Sequence, residues 1–338
     1  MNGLNKSDWN KKLKKYAQPT VRKSTFQILN SVLPYLGLLG LMYLTMYYKL
    51  PYIVTLGLGF IASGFMVRIF ILFHDCTHQS FFKSNTANAI WGHVFGILSF
   101  TPYYTWQLEH SIHHGTVGNL DRRGVGDIWT MTVSEYEASS IPKKLWYRIY
   151  RNPLFLFLVA PFALFAVLNR IPSTGARRKD HISYLVTNAG VITIFVVTWL
   201  TLGLKYYLAI QVPILYFASI MGVWLFFVQH QFEEVYWSTD SEWDIVKAAL
   251  QGSSYYKLPL VFEWFSGYIG YHNIHHLNSR IPNYNLKACY ADVHELLDEK
   301  KIKFFESFKL AFLELYDEKS RKMISFRMAR KLRHSKQV

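Results

Sequence analysis

Four long apolar stretches constrain the fold of this chain more than any other feature of its sequence. They cover residues 28–48, 52–73, 184–204 and 206–228, and the only charged residue within them is Arg68, near the end of the second stretch. About twenty apolar residues are enough for one helix to cross the hydrocarbon core of a bilayer. Because a backbone in lipid must satisfy its own hydrogen bonds, each stretch is predicted to be helical. The sequence therefore predicts an all-α integral membrane fold with four transmembrane helices in two hairpins.

Two shorter apolar stretches, residues 89–104 and 154–168, are predicted to be re-entrant or interfacial helices rather than spans. The first contains His93. The second has Pro161 at its centre, and a proline there interrupts helical hydrogen bonding. Such a segment is tolerated at membrane depth when it is buried against protein.

The distribution of basic residues predicts the orientation of these segments. Lysine and arginine are concentrated at both ends of the chain and at residues 177–179. Cytoplasmic loops carry an excess of these residues, so both termini and the loop over residues 170–181 are predicted to be cytoplasmic in a multi-pass protein of the cell membrane. Residues 154–168 must then enter and leave the membrane on one side. A full crossing there would place His230 outside, away from the other histidine clusters.

Charge and composition restrict the class of protein. The formal net charge is +15, and 51% of the residues are hydrophobic. Basic ends around an apolar middle favour a membrane protein over a nucleic-acid-binding one, so no nucleic-acid partner is expected. The two cysteines, Cys76 and Cys289, are far apart and predict neither a disulfide framework nor a cysteine metal site. We expect a single domain over residues 1–338, with a cytoplasmic histidine-rich cap formed by residues 74–88, 105–153 and 229–338.

Histidines fall into three clusters that predict metal binding. The clusters are His74 and His78; His110, His113 and His114; and His272, His275 and His276. On a helix, positions i, i+3 and i+4 share a face, so each cluster can direct its imidazoles at a common point. Two HxxHH motifs are very unlikely by chance, and buried imidazoles that bind nothing would each need another polar partner. The remaining His93, His181, His294 and His334, with His230 set aside for now, are expected to be structural or surface residues.

The number of imidazoles indicates two metal ions. A structural zinc needs four ligands and commonly uses cysteine, so eight imidazoles imply two ions with open coordination positions. Soluble di-iron bundles use glutamate ligands in a pattern that these clusters lack. Ligand chemistry alone leaves iron, copper and zinc open. Asp75 and Asp127 lie in or beside the clusters and are candidates to accept the second ring N–H of a ligating histidine.

The segments around the clusters read HDCTHQSFF, HSIHHGTVGNLDRRGVGDIW and GYHNIHHLNSRIPNYNL. They resemble the membrane fatty acid desaturase superfamily, and the second and third are most similar to the Δ5 acyl-lipid desaturases of Gram-positive bacteria. The similarity extends from about Tyr16 to Tyr316. It implies that the eight clustered histidines bind two irons and that O2 is a co-substrate. It also implies that a cis double bond is introduced into the saturated acyl chain of a membrane phospholipid.

The resemblance also bears on the electron donor. The third cluster begins with His272, where front-end desaturases typically have glutamine, and the His-Pro-Gly-Gly motif of a cytochrome-b5-like region is absent from the sequence. Electrons are therefore expected from a separate protein, either ferredoxin or flavodoxin.

His230 is a candidate ninth ligand. It ends the last apolar stretch, in the segment FFVQHQFEE, and its position resembles that of an additional metal ligand in the superfamily. The alternative is that its imidazole only interacts with the dipole at a helix C-terminus. Some acyl-CoA desaturases carry an asparagine one helical turn earlier, where this chain has Phe226.

Two other functions remain open from the sequence. A lipid or carotenoid hydroxylase or oxygenase could use the same scaffold, because returning oxygen to the substrate differs from a second hydrogen abstraction by small changes in geometry. A histidine-rich metal transporter is a more remote alternative. Transport sites need ionisable residues inside the spans, and the apolar stretches here almost lack them.

Overall fold

Helices form most of the chain, and the computed structural model describes residues 4–297 and 299–334. The α-helices are α1 (Lys6–Leu13), α2 (Val21–Tyr47), α3 (Tyr52–Thr77), α4 (Asn85–Leu98), α5 (Tyr103–Thr116), α6 (Val133–Ala138), α7 (Ile141–Tyr150), α8 (Ala160–Ala166), α9 (Arg178–Leu202), α10 (Leu204–His230), α11 (Ile245–Gln251), α12 (Leu260–Phe265), α13 (His272–Leu277), α14 (Asn283–Val293), α15 (Phe304–Ser307) and α16 (Phe326–His334). A π-helix covers Phe155–Val159, and 3-10 turns cover Leu168–Arg170, His294–Leu296 and Phe308–Phe312. The strands are β1 (Met131–Thr132), β2 (Ser254–Lys257), β3 (Lys300–Lys303), β4 (Leu315–Asp317) and β5 (Lys322–Ile324).

Four helices in the described part of the chain, α2, α3, α9 and α10, are long and apolar enough to cross a bilayer. They form two hairpins. The α9–α10 connection is the single residue Gly203, whose φ of 95° lies in the region that favours glycine. The predicted all-α membrane fold with four transmembrane helices is confirmed.

The first two spanning helices extend beyond their apolar stretches into the cap. Helix α2 begins at Val21, seven residues before the predicted span at residues 28–48. Its polar first turns bind the cap, because Ser24 Oγ donates to the Phe81 carbonyl at 2.6 Å and Gln27 Nε2 donates to Asn283 Oδ1 at 2.6 Å. Helix α3 likewise continues past the predicted end at residue 73 to Thr77.

The stretch predicted as one interfacial element at residues 89–104 is divided between two helices. Helix α4 ends at Leu98 and α5 begins at Tyr103. The turn between them is tight: the Thr101 amide donates to the Gly96 carbonyl at 2.7 Å, and a Cβ on Gly96 would lie 2.5 Å from the Thr101 oxygen. Pro102 is the N-cap of α5, and its carbonyl accepts the first hydrogen bond of the new helix from the Trp106 amide at 3.1 Å. The second histidine cluster therefore lies on a helix of its own.

The stretch over residues 154–168 follows a sharp bend in the chain, which lies between Tyr150 and Phe155 rather than at Pro161. It consists of the π-helix, α8 and a 3-10 turn, and its axis makes an angle of 60° with that of α7. Pro161 is buried in the first turn of α8, where a missing N–H is tolerated. Together with α7 this segment would form a fifth crossing only if the bent pair traversed the membrane as one unit.

Two small sheets strengthen the cap, and no pattern in the sequence predicted them. Strands β2 and β3 pair in parallel, with Ser254 opposite Lys300 and Lys257 opposite Lys303. In the second sheet β4 pairs in parallel with β1 and antiparallel with β5. Strand β2 positions the third histidine cluster, because the Tyr256 amide donates to the Gly270 carbonyl two residues before α13.

Candidate metal centre

Four helices bring all nine predicted histidines together at the junction between membrane and cap. His74 lies in the last turn of α3 and His78 caps that helix. Helix α5 carries the second cluster, α13 carries the third, and His230 is the last residue of α10. Two of these helices span the membrane, so the site is attached to the rigid membrane part of the fold.

The histidines divide into two groups rather than three. The first group contains His74, His78, His110, His114 and His275, and the second contains His113, His230 and His276. His272 joins the second group, because its Nε2 lies 2.9 Å from that of His230 and 3.1 Å from that of His276. Each HxxHH cluster therefore contributes to both groups, which differs from the expectation that each would aim at one point.

The ring-nitrogen distances fit metal coordination. Two nitrogens about 2.1 Å from one ion and at right angles to each other lie about 3.0 Å apart. In the first group the Nε2 atoms are separated by 3.0 Å for His74 and His110, 3.1 Å for His110 and His114, and 3.0 Å for His114 and His275. In the second group the Nε2 atoms of His113 and His230 are 3.2 Å apart. The two groups therefore match the ligand sets of two metal ions.

Unpaired ring nitrogens support the same interpretation. The Nε2 atom of His78 is buried and has no hydrogen-bond partner among the described residues. The rings of His74, His110, His114 and His275 surround it at centroid distances of 4.7 to 4.8 Å. A buried imidazole nitrogen without a partner is costly unless something else binds it. The donor set around it consists of imidazoles, which suits a transition-metal ion.

Burial keeps these imidazoles neutral. It lowers the pKa of the following histidines well below the ordinary value, and repulsion between neighbouring imidazoles lowers it further: His78, His110, His114, His272, His275 and His276. Only a neutral imidazole has a lone pair to give to a metal. The cap therefore holds the histidines in the protonation state that coordination requires.

Outer hydrogen bonds orient two ligands of the second group. Asp127 Oδ1 accepts from His113 Nδ1 at 2.6 Å, which leaves the lone pair on His113 Nε2 facing the group. His230 Nδ1 lies 3.3 Å from the Gly252 carbonyl, a contact that no sequence motif indicated. The carboxylate of Asp75 is less well placed: its Oδ1 is 3.5 Å from His74 Nδ1, while its Oδ2 accepts from the Asn283 amide at 2.7 Å.

A narrow cavity of about 30 Å³ lies beside the second group. His230, Asp127 and Gly118 are part of its wall, together with the apolar side chains of Val117, Ile128, Trp129, Phe226 and Trp237. Two polar residues that the sequence analysis missed, Thr130 and Gln231, also line it. The buried guanidinium of Arg151 donates to both of them at 3.2 Å. The position of Gln231 directly after His230 is the one signal in the sequence that could have identified it.

Among the described residues, the histidines outside the clusters, His93, His181 and His294, do not reach either group. The His93 ring is half-buried, with Nδ1 2.7 Å from the Ala89 carbonyl of its own helix. His181 and His294 are exposed. The expectation for His334 concerns a side chain outside the described part of the chain.

Comparison with known proteins agrees with this geometry. The family model described as fatty acid desaturase matches residues 49–308. The chain belongs to the fatty acid desaturase family. This desaturase is 43% identical over 317 residues to a fatty acid desaturase of Bacillus subtilis strain 168, covering 94% of this chain and 90% of the relative. It is 28% identical to the sn-1 oleoyl-lipid 12-desaturase of Picosynechococcus, covering 72% and 70% of the two chains. It is 29% identical to the sn-1 acyl-lipid omega-3 desaturase (ferredoxin) of Nostoc, covering 83% and 78%.

Family membership establishes the class of the protein. The desaturase is an oxidoreductase and a multi-pass membrane protein, as the sequence predicted. Its histidine groups are compatible with the metal centre of such an enzyme. A metal transporter is no longer needed to explain the histidines.

Proposed function

We propose that this desaturase introduces a cis double bond into a saturated acyl chain of a membrane phospholipid, in a reaction that consumes O2. The two histidine groups would each hold one iron ion: the first through His74, His78, His110, His114 and His275, the second through His113, His230, His272 and His276. The observation that carries the proposal is the separation of nine buried or half-buried imidazoles into two convergent groups. Bound iron would supply the oxygen chemistry needed to remove hydrogen from an unactivated methylene, which has no acidic proton for an ordinary base.

The protein's own residues prepare the site for that chemistry. The cap buries the imidazoles and excludes bulk water from the ring nitrogens. Asp127 holds the Nδ1 proton of His113, so the ligand tautomer is set before metal binds. Because α3 and α10 enter the site directly from the membrane, the distance between the two groups is determined by packed helices rather than by loops.

The reacting carbon pair of the acyl chain is proposed to lie at the cavity beside His230, which is too small to hold a whole chain. The apolar side chains Ile128, Trp129 and Phe226 suit a methylene chain, and the cavity wall includes a residue of the second group. Positioning one carbon pair against the metal is the main task of such a cavity. The similarity of the sequence to acyl-lipid enzymes favours a lipid-linked chain, and its Δ5-like segments favour position 5.

Electrons are proposed to come from ferredoxin or flavodoxin, and one relative carries ferredoxin in its name. The enzyme is proposed to lie in the cell membrane, with both termini and both histidine groups on the cytoplasmic side. Basic residues at both ends of the chain support this orientation.

Expression in a bacterial host that lacks desaturases tests the proposal. Mass spectrometry of the phospholipid fatty acids is expected to show new monounsaturated chains with a cis bond at position 5. His110→Ala should abolish them at equal protein level, because His110 lies between His74 and His114 in the first group. A hydroxylated product would instead favour the oxygenase alternative. A double bond at another position would contradict the assignment of position 5 and leave the desaturase function intact. Purified active protein that contained zinc and no iron would refute the assignment of the metal.

A further inference from the structure

An open groove of about 630 Å³ lies on the cap beside the first histidine group. Three chain segments form it: the end of α1 and the residues before α2, the loop after the first histidine cluster, and the loop after the third. Its lining residues are Asn10, Lys14, Ala17, Gln18, Pro19, Gln79, Phe82, Lys83, Asn85, Asn278 and Arg280. The groove is therefore a concave surface built where two histidine clusters end.

The floor of the groove is very close to a proposed metal ligand. Gln79 lines the groove and is the neighbour of His78 in the chain. The Gln79 carbonyl accepts from Arg280 Nη1 at 3.2 Å, which connects the two loops across the groove. Asn278, two residues after His276, lies in the same wall. A molecule seated in the groove would be separated from His78 by one residue.

The groove is basic. Every charged side chain that the described part of the chain places in its lining is a cation, namely Lys14, Lys83 and Arg280. Helix α1 extends this surface with exposed Lys11 and Lys12. Such a surface attracts a partner that carries negative charge and raises its association rate.

The groove is separate from the proposed acyl cavity. The acyl cavity is narrow, largely apolar and bounded by His230 of the second group. The groove is wide, contains many polar residues and lies next to His78 of the first group. The two surfaces share no lining residue, so a partner in the groove would leave the acyl cavity free.

We propose that this groove is the docking site of a small acidic one-electron carrier protein. The inference rests on the proposed function, which needs a reductant. For each double bond, O2, two hydrogens of the substrate, two protons and two electrons give two molecules of water. Each reduced carrier loses one electron, so two carriers are oxidised in turn, and the electrons enter the site through Gln79 and His78.

A protein partner fits this surface better than a lipid headgroup. A stable protein interface buries about 800 Å² on each partner, far more than one phosphate group covers. The basic surface here continues from the groove along α1 to the exposed Lys11 and Lys12. Ala17, Pro19 and Phe82 in the lining add apolar contact area, which protein interfaces use at their centre.

Charge reversal in the groove tests the proposal. The groove variant carries both Lys14→Glu and Lys83→Glu, because these two lysines are exposed and lie outside the histidine groups. The matched control is Lys143→Glu with Lys319→Glu, two exposed lysines in other parts of the chain with the same change of formal charge. Binding of an acidic [2Fe–2S] ferredoxin to the full-length protein in nanodiscs is measured by calorimetry at several salt concentrations. The groove variant should bind about tenfold more weakly, with a smaller dependence on salt, and the control should bind normally.

Turnover measurements show whether the groove variant has lost binding of the electron carrier or binding of the lipid substrate. With reduced ferredoxin the groove variant should show a raised KM for ferredoxin, whereas with dithionite and methyl viologen its turnover should equal that of the wild type. Normal ferredoxin binding and turnover in the groove variant would overturn the docking site and leave the desaturase function intact. Loss of turnover with the chemical reductant would overturn it in favour of a site for the substrate headgroup. A wild-type protein that desaturates with neither reductant, yet binds ferredoxin through these lysines, would refute the function and support the docking site.

Discussion

At the scale of single residues, the positions within each HxxHH cluster decide which metal group a histidine joins. On α5, His110 and His114 join the first group and His113 joins the second; on α13, His272 and His276 join the second and His275 joins the first. Successive residues of a helix are rotated by about 100°, so positions i and i+4 differ by about 40° while i+3 and i+4 differ by about 100°. The i and i+4 pair can therefore bind one ion and the residue at i+3 another. One motif thus contributes to both sites.

His230→Ala is expected to abolish desaturation and to lower bound iron by about one ion per chain, because the second group would keep three imidazoles. Iron content measured on purified protein, together with turnover, checks this. Membrane insertion and expression should stay normal, since His230 is the last residue of α10.

His93→Ala is the matched control for that variant. The His93 ring packs against Tyr103 and Tyr104 and touches no member of either group, so iron content and turnover should change little. If His230 only interacted favourably with the helix dipole at the C-terminus of α10, its loss would cost about 0.3 to 1 kcal/mol of stability and leave turnover near normal. An active, iron-replete His230→Ala enzyme would decide for that alternative.

Asp127→Ala is expected to weaken iron binding about 10- to 100-fold, because it removes the acceptor that orients His113. Competition with a chelator measures the affinity directly and does not depend on turnover. Asp292→Ala is a suitable control, since Asp292 pairs with Lys15 in an exposed salt bridge of small energetic value. Equal iron affinity in the two variants would show that the His113 contact is not needed to hold the metal.

At the scale of helices, contacts with the cap decide where each element begins, ends and returns. Arg170 follows the bent segment, and its guanidinium donates to Asn188 Oδ1 at 3.0 Å and to the Phe100 carbonyl. Phe100 lies in the turn before α5, which carries the second histidine cluster. The end of the segment over residues 154–168 is therefore hydrogen-bonded, through Arg170, to the side of the protein where the histidines lie. This supports a re-entrant path, in agreement with the basic residues of the following loop.

Cysteine labelling tests this topology. The native Cys76 and Cys289 are both buried, so background labelling should be low. Ser173→Cys should resist a membrane-impermeant maleimide in intact cells and react after the membrane is permeabilised. Lys205→Cys, in the first turn of α10 next to the Gly203 connection, should react in intact cells. Labelling of residue 173 from outside would contradict the proposed orientation of the loop.

At the scale of the whole molecule, the membrane helices and the cap form one continuous site. Helices α3 and α10 run from the membrane into the cap; His78 caps the end of α3, and His230 is the last residue of α10. The polar start of α2 is bonded to residues after the first and third histidine clusters. The two concave surfaces beside the histidines differ in character, since one is a narrow apolar cavity and the other a wide basic groove. The lipid substrate and the electron donor are therefore proposed to approach from different surfaces.

The sequence by itself determined the elements whose signals are local. Runs of about twenty apolar residues identify spanning helices, and the i, i+3, i+4 spacing identifies histidines suited to bind a metal, because each signal depends on neighbours along one helix. The position of His93 outside both histidine groups was likewise predictable, because no other histidine lies near it in the sequence. Only the tertiary structure decided which histidines converge in one group, that Asp127 contacts His113 more closely than Asp75 contacts His74, and that Arg151 donates to Thr130 and Gln231. These facts depend on distances between segments far apart in the chain, which side-chain packing sets and no local pattern encodes.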